Sequence, residues 1–347
     1  VNPEVWEGRR VLVTGHTGFK GAWLSLWLER LGAEVHGLSL APPTTPSLHA
    51  LVGGESAEPI DIREHERVVR RVNEVEPEVV FHLAARALVR PAFTDPVGTY
   101  EVNVLGTVNV LEAARHAPTV RAVVVVTSDK VYAPDDEGRP HAEDATLGGV
   151  EPYSASKAAA ELAAAAYRAG YFHRSSGLAT ARAGNVIGGG DWAVDRAVPD
   201  VVRAIERSEP VVLRHPQALR PWQHVLEPLH GYLLLAERLV EDPASAPGSF
   251  NFGPDGAATV AEVVERLTES FGGRRPGWRQ DEAAQHVPET RALRLDASRA
   301  RGELGWRPVL DLGETLDWTV DWYREYFEGG AARERTLRQI AAYEERV

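Results

Sequence analysis

Cysteine and methionine are both absent from this 347-residue chain. The first absence excludes disulfides and thiolate-metal sites, and it leaves the redox compartment unreadable from that residue. No apolar run approaches the roughly 18 residues of a membrane helix, and the N-terminus lacks the basic-then-apolar pattern of a secretory signal. Positive charge is in deficit: 38 Lys and Arg against 50 Asp and Glu give a net charge of −12. An extended nucleic-acid surface is therefore not expected, although local Arg clusters can still bind a small anion. Repeats and low-complexity linkers are missing, and Ala160 to Ala166 reads as Ala-rich helix. The His residues are scattered without metal-ligand spacing, so no metal is expected. The expectation is a soluble, cytoplasmic protein, long enough for a large core and for two lobes.

What is present is an alternation of strands and helices. Arg9 to Thr14 is a short apolar run ending at glycines, and Ala22 to Leu31 follows with helical periodicity. Further strands are expected at Glu34 to Leu40, Val79 to Leu83 and Ala122 to Val126. Runs so continuous in Val and Leu, separated by helices, predict an α/β fold: a doubly wound, Rossmann-type parallel sheet covered on both faces. Helices predicted at Val97 to His116 and Ser154 to Gly170 are rich in small residues, which suits either a dimer face or ordinary packing on the sheet. Leu304 to Pro308 reads as a turn after a helix.

Two motifs carry chemistry. Gly15, Gly18 and Gly21 stand at the end of the first strand with G-x-x-G-x-x-G spacing. Gly there permits the sharp turn and lets a pyrophosphate approach the amides of the following helix, so Gly15, His16, Gly18, Phe19, Lys20 and Gly21 are assigned to a dinucleotide. The acidic residue that commonly binds the adenosine ribose about 20 positions on is missing after Gly37. Lys20 could even favour a 2′-phosphate, so the glycine motif does not choose between NAD and NADP. Asp61 and Ile62, expected to follow the next short strand, suit the adenine edge. Leu83, Ala84 and Ala85, at the end of a later strand, complete the cofactor assignment.

Tyr153 and Lys157 lie four residues apart, one turn along one face of a helix. A nearby ammonium is expected to lower the Tyr pKa from about 10 toward working pH, and to reach a nicotinamide ribose. Between the two motifs stand Thr127, Ser128, Asp129 and Lys130, at the end of a strand where α/β sheets bind ligands.

With these residues in place, the chain resembles the extended short-chain dehydrogenase/reductase family, and more narrowly the CDP-D-glucose 4,6-dehydratases. The resemblance covers essentially the whole chain. It rests on Gly15 to Gly21, Ala41 to Ser47, Thr127 to Lys130, Arg182 to Trp192 and Arg220 to Pro228. It implies NAD as cofactor, CDP-glucose as nucleotide-sugar substrate, and a homodimer or dimer of dimers. It further implies that Tyr153, helped by Ser128, takes the proton of the sugar 4-hydroxyl while hydride leaves C4. Asp129 is then the general acid for the departing 6-hydroxyl and Lys130 the base at C5. Asp129 must be held protonated and Lys130 neutral, which requires burial or a strong neighbour. Hydride returns to C6, and the product is CDP-4-keto-6-deoxy-D-glucose.

Asn185, Arg214 and Arg220 are the substrate candidates, since an amide and guanidinium forks suit a diphosphate and its sugar. His224 either touches substrate or orients Arg220 or Trp222. Two departures from the family pattern bear on substrate preference. Arg86 follows His82 to Ala85 where Gln is usual, which puts a positive side chain near the sugar site; and Ala133 to Ala145 is short, acidic and poor in aromatic residues. Alternatives are another nucleotide-sugar dehydratase or epimerase acting on a UDP- or dTDP-hexose, and a non-catalytic dinucleotide-sensing protein. The expected architecture is an NAD-binding lobe of residues 1–186 and 225–254, a nucleotide-sugar lobe of 187–224 and 255–347, and a site in the cleft between them.

Overall fold

The computed structural model describes residues 1–54, 58–135, 138–172, 175–245, 248–272, 277–281 and 292–347. Its centre is a six-stranded, all-parallel sheet built from β1 (Arg10–Thr14), β2 (Glu34–Leu38), β3 (Val79–His82), β4 (Ala122–Val126), β5 (Gly177–Ala183) and β6 (Gly248–Phe252). The strand order is β6-β5-β4-β3-β1-β2. Order reverses between β1 and β3, and a crevice outside the strand carboxyl ends at such a point is where doubly wound sheets bind ligands. Val11, Leu12 and Val13 are fully buried, as are Val79, Val80, Phe81 and Val123, because helices cover both faces. Each such side chain contributes about 1.5–3 kcal/mol relative to exposure.

The helices that position the site are α1 (Phe19–Arg30), α2 (His65–Val75), α3 (Thr107–His116) and α4 (Pro152–Gly170). Further along come α5 (Ala197–Arg207), α6 (Leu226–Glu241), α7 (Val260–Phe271), α8 (Leu312–Phe327) and α9 (Ala332–Glu344). α4 begins with Pro152 in its first turn and a reciprocal cap, the Glu151 carboxylate taking the Tyr153 and Ser154 amides. That cap fixes the phase of the helix that carries Tyr153 and Lys157.

Two local expectations need correction. The helix predicted from Val97 to His116 is broken by a π turn at Glu101–Gly106. There the Asn103 carboxamide accepts from the Arg86 amide at 2.8 Å and donates to Arg86 O and Ser156 Oγ, while Gly106 leaves room for Ile62. No strand precedes Asp61 among the described residues; only the Ile60 amide reaches the second-strand end, at Ser39 O, 2.9 Å. The turn after Ser298–Glu303 forms as expected.

Outside the main sheet, two short pairings stitch 186–224 to 258–280, Val211–Leu213 with Trp278–Gln280 and Leu219–Arg220 with Ala258–Thr259, and a third joins Val186–Ile187 to Gln223–His224. The last helix, α9, lies against α1 and bonds back to α6, with Tyr343 Oη donating to Glu227 Oε2 at 2.7 Å. One hydrophobic cluster accordingly runs from Trp6, Trp23 and Trp27 through the sheet to Trp306, Trp322 and Tyr343. No helix among the described residues is long and apolar enough to cross a membrane.

Candidate active site

The four strand ends at the switch point deliver the sequence motifs to one place. Gly15 follows β1, Leu83 to Ala85 follow β3, Thr127 to Lys130 follow β4, and Gly184 and Asn185 follow β5. A β-carbon on Gly15 (φ +74°) would stand 2.8 Å from the Ala84 amide nitrogen, and one on Gly21 would stand 2.2 Å from Gly15 O. The turn therefore closes only with glycine at both positions. Gly18, at the N-terminus of α1, has only Gly15 O nearby at 3.3 Å, so its bare face is left open. With the unpaired amides of the first helical turn, this cradle fits the pyrophosphate of a dinucleotide.

Two residues of that motif do something other than expected. His16 is buried over Gly37 at the end of β2, its Nδ1 3.0 Å from Ser39 Oγ, which in turn meets Thr17 Oγ1. A neutral chain of hydroxyls and imidazole thus occupies the place where an acid was sought. Burial, with His49 and Arg71 nearby, pushes His16 down to about 4. Lys20 lines a cavity with Ser128, Asp129 and Tyr153, and burial, with Arg196 close by, pushes it down to about 8.

That cavity, of about 480 Å³, also takes in Lys130, Lys157 and Asn185. The chain has only three lysines, Lys20, Lys130 and Lys157, and all three line it. Arginines line it too, but an ammonium can lose its proton where a guanidinium cannot, so the lysines are the cations of this cavity suited to proton transfer.

Tyr153, Ser128 and Asp129 form one hydrogen-bonded row. Tyr153 shares a hydrogen bond with the Ser128 side chain, and Ser128 Oγ donates to Asp129 Oδ1 at 3.1 Å. Asp129 is buried, its Oδ2 has no hydrogen-bond partner among the described residues, and burial pushes its pKa up. That is the direction a general acid requires. The expected lowering of Tyr153 is not met. Burial pushes Tyr153 up to about 12, and Lys157, itself pushed down to about 7 by burial and by Lys20, donates to Val126 O at 3.1 Å. The cation that does lower Tyr153 is Arg196, which the sequence reading missed. It lines the cavity and pairs with Asp191 at 2.8 Å.

Asn185, Arg214 and Arg220 all line the cavity. Asn185 takes a positive φ of 24°, and Arg214 donates to Asp195 O at 3.1 Å. Arg90, also missed, meets the same Asp195 at 3.0 Å, so two guanidinium groups share one wall. Arg220 is buried and reaches Leu219 O at 2.8 Å.

Arg86, Asp61, Ile62 and His224 lie outside the cavity lining. Arg86 is turned away from the cavity: its amide is held by Asn103 and its guanidinium pairs with Asp95 at 2.5 Å, near Asp61. Asp61 itself is engaged by Arg63, at 2.7 Å, while Ile62 is buried against Gly106. His224 sits in the core between Trp23 and Trp318 and does not itself line the cavity. The loop after Tyr132 is not without rings, since His141 stacks on Tyr132 at 4.7 Å and both line the cavity; residues 136 and 137 of that loop lie outside the described residues.

The sequence matches the NAD dependent epimerase/dehydratase family over residues 11–253. The chain belongs to that family. Within it, the chain is 42% identical to the CDP-glucose 4,6-dehydratase of Salmonella typhimurium over 99% of this chain and 98% of that one. It is 31% identical to the dTDP-glucose 4,6-dehydratase of Streptomyces antibioticus over 72% of this chain and 71% of that one. Among solved structures, it is similar to DesIV, the dTDP-glucose 4,6-dehydratase of Streptomyces venezuelae, with TM-score 0.78 and 26% identity over 92% of this chain and 98% of that chain. It is also similar to MoeE5 in complex with UDP-glucose and NAD, with TM-score 0.77 and 28% identity over 91% of this chain and 99% of that chain. As a member of that family the chain is NAD-dependent.

Proposed function

We propose that this chain is a hydro-lyase that converts CDP-glucose to CDP-4-keto-6-deoxyglucose. The observation that carries the reading is the row Tyr153–Ser128–Asp129, in which a buried carboxyl, pushed up by burial, stands beside the Tyr-Lys pair. Oxidation and reduction at C4, as in an epimerase, needs Tyr153 and Lys157 but gives Asp129 nothing to do. The 42% identity to a CDP-glucose 4,6-dehydratase across the whole chain supports the choice of reaction and base.

NAD, held by Gly15 to Gly21 and by Leu83 to Ala85, supplies the two-electron chemistry when bound, and the cycle consumes none. Tyr153 and Ser128 take up the proton of the 4-hydroxyl, and Arg196 favours the phenolate. A ketone at C4 acidifies the C5 hydrogen, which Lys130 removes. Asp129 gives its proton to the 6-hydroxyl as that group leaves as water, and, with hydride returned to C6, Lys130 gives the C5 proton back. Arg90, Arg214 and Arg220 hold the diphosphate end, with Asn185 toward the sugar.

The NAD lobe in this reading is residues 1–186 with 225–254, because β6 returns to the sheet beside β5. Residues 187–224 and 255–347 contribute the nucleotide-sugar wall, α9 excepted. A homodimer through α4 and residues 96–116 is supported by exposed Val97, Leu105 and Leu162 on those packed helices. Comparison of kcat/KM for CDP-, UDP- and dTDP-glucose tests the substrate assignment. CDP-glucose preferred by at least about tenfold, or 1.4 kcal/mol, supports it, and equal or reversed preference overturns it.

A further inference from the structure

Glu161 lies one turn beyond Lys157 and two beyond Tyr153, on the same face of α4. Unlike those two, it does not line the cavity. It is buried and fully engaged. Oε1 accepts from Thr127 Oγ1, and Oε2 accepts from Thr180 Oγ1 at 2.7 Å, Arg182 Nη2 at 2.9 Å and Ser249 Oγ at 3.1 Å. Arg182, equally buried, passes the constraint on, donating to Tyr132 Oη at 2.8 Å and Glu143 O at 3.0 Å.

A buried ion pair is weak evidence for stability, since apolar residues of similar volume commonly do as well, so its position calls for another account. Three side chains of one helix face grip three consecutive residues of the β4 end. Lys157 bonds Val126 O, Glu161 takes the Thr127 hydroxyl, and Tyr153 meets Ser128. The next two residues are the acid and the base of the reaction.

We propose that Glu161 is a positioning residue for the elimination, its carboxylate fixing Thr127 so that Asp129 and Lys130 keep their register against Tyr153. Arg182 is its counter-ion and ties the same carboxylate to Tyr132 on the cavity wall. The inference rests on the dehydratase reading and assigns Glu161 no contact with substrate.

Thr127→Val removes the hydroxyl and leaves the Glu161–Arg182 pair in place, Thr127→Ser keeps the hydroxyl, and Glu161→Gln removes the charge. Each is measured for kcat and KM with CDP-glucose, for 340 nm absorbance in a single turnover, and for thermal midpoint. Thr127→Val is expected to lower kcat by at least about tenfold with KM held within about twofold. Absorbance at 340 nm should build up in it, because oxidation at C4 outruns a misaligned elimination, and Thr127→Ser should restore turnover. Wild-type kcat in Thr127→Val, or equal losses in Thr127→Val and Thr127→Ser that follow the thermal midpoint, would overturn the role of Glu161. A wild-type protein inactive on every nucleotide hexose overturns the dehydratase reading, and the inference falls with it.

Discussion

The carboxyl of Asp129 occupies the space beside Gly184 that a side chain there would need: a β-carbon on Gly184 would stand 2.0 Å from Asp129 Oδ2. Asp129 follows β4 and Gly184 follows β5, so the packing of two neighbouring strand ends sets where the acid points. Gly184→Ala should push the carboxyl off its hydrogen bond with Ser128. Turnover is expected to fall by about 10²-fold, the loss associated with a displacement near 1 Å, with NAD affinity unchanged in a fluorescence titration. Unaltered kcat in a folded Gly184→Ala protein would contradict this placement.

Tyr153→Phe removes the hydroxyl that exchanges the first proton and is expected to lower kcat by about 10²–10⁴-fold. The phenolate fraction grows with pH, and burial holds Tyr153 up at about 12, so kcat should rise from pH 6 through neutrality into the alkaline range. Arg196 lowers Tyr153, and Arg196→Gln should therefore move the rise to higher pH. A pH profile identical in the two proteins would exclude Arg196 from this role.

Asp129→Asn and Lys130→Ala separate dehydration from epimerisation. In a dehydratase both variants should keep oxidation at C4 and lose at least about 10²-fold in release of water, measured by single-turnover mass spectrometry. Release of water at the wild-type rate in both would contradict these two roles, and no release of water in the wild-type protein would return the site to the epimerase reading.

Much of the site was legible because its determinants are local. Gly15 and Gly21 are dictated by one tight turn, and Tyr153 and Lys157 by one helical repeat, so spacing together with order along the chain carried them. The sheet followed from runs such as Ala122–Val126, whose burial on both faces leaves no polar alternation. What escaped depended on tertiary packing. Arg86 stands beside the cofactor residues in sequence, yet Asn103 and Asp95 turn it outward. Arg196 and Arg90 converge on the cavity from segments about a hundred residues apart, with no motif to mark them. Lys157 was expected to lower Tyr153, but the cost of burial exceeds the attraction of a lysine that is itself pushed toward neutrality.

Buried histidines set the acid limit of stability. His82, His224 and His230 are pushed down to about 3 and His16 to about 4, in each case chiefly by burial. Their folded pKa values lie below the unfolded value of 6.5, so the unfolded chain takes up protons first as pH falls. The stability they contribute is complete above pH 6.5 and is lost progressively toward pH 3. Thermal midpoints should already fall from pH 8 to 7, because Lys20 and Lys157 are pushed down to about 8 and about 7, and the histidines should make them fall further below 6.5, with His82→Gln flattening the slope there; a midpoint unchanged between pH 6.5 and 5 would contradict this.

In the proposed reaction one chain oxidises C4, eliminates water and returns the same hydrogen to C6. Incubating the protein and NAD with CDP-glucose deuterated at C4, followed by mass spectrometry and NMR of the sugar, tests it most directly. The account predicts a product lighter by one water, with the deuterium recovered at C6 and no net NADH. Unchanged sugar, or a C4 epimer of unchanged mass with its deuterium still at C4, would contradict it.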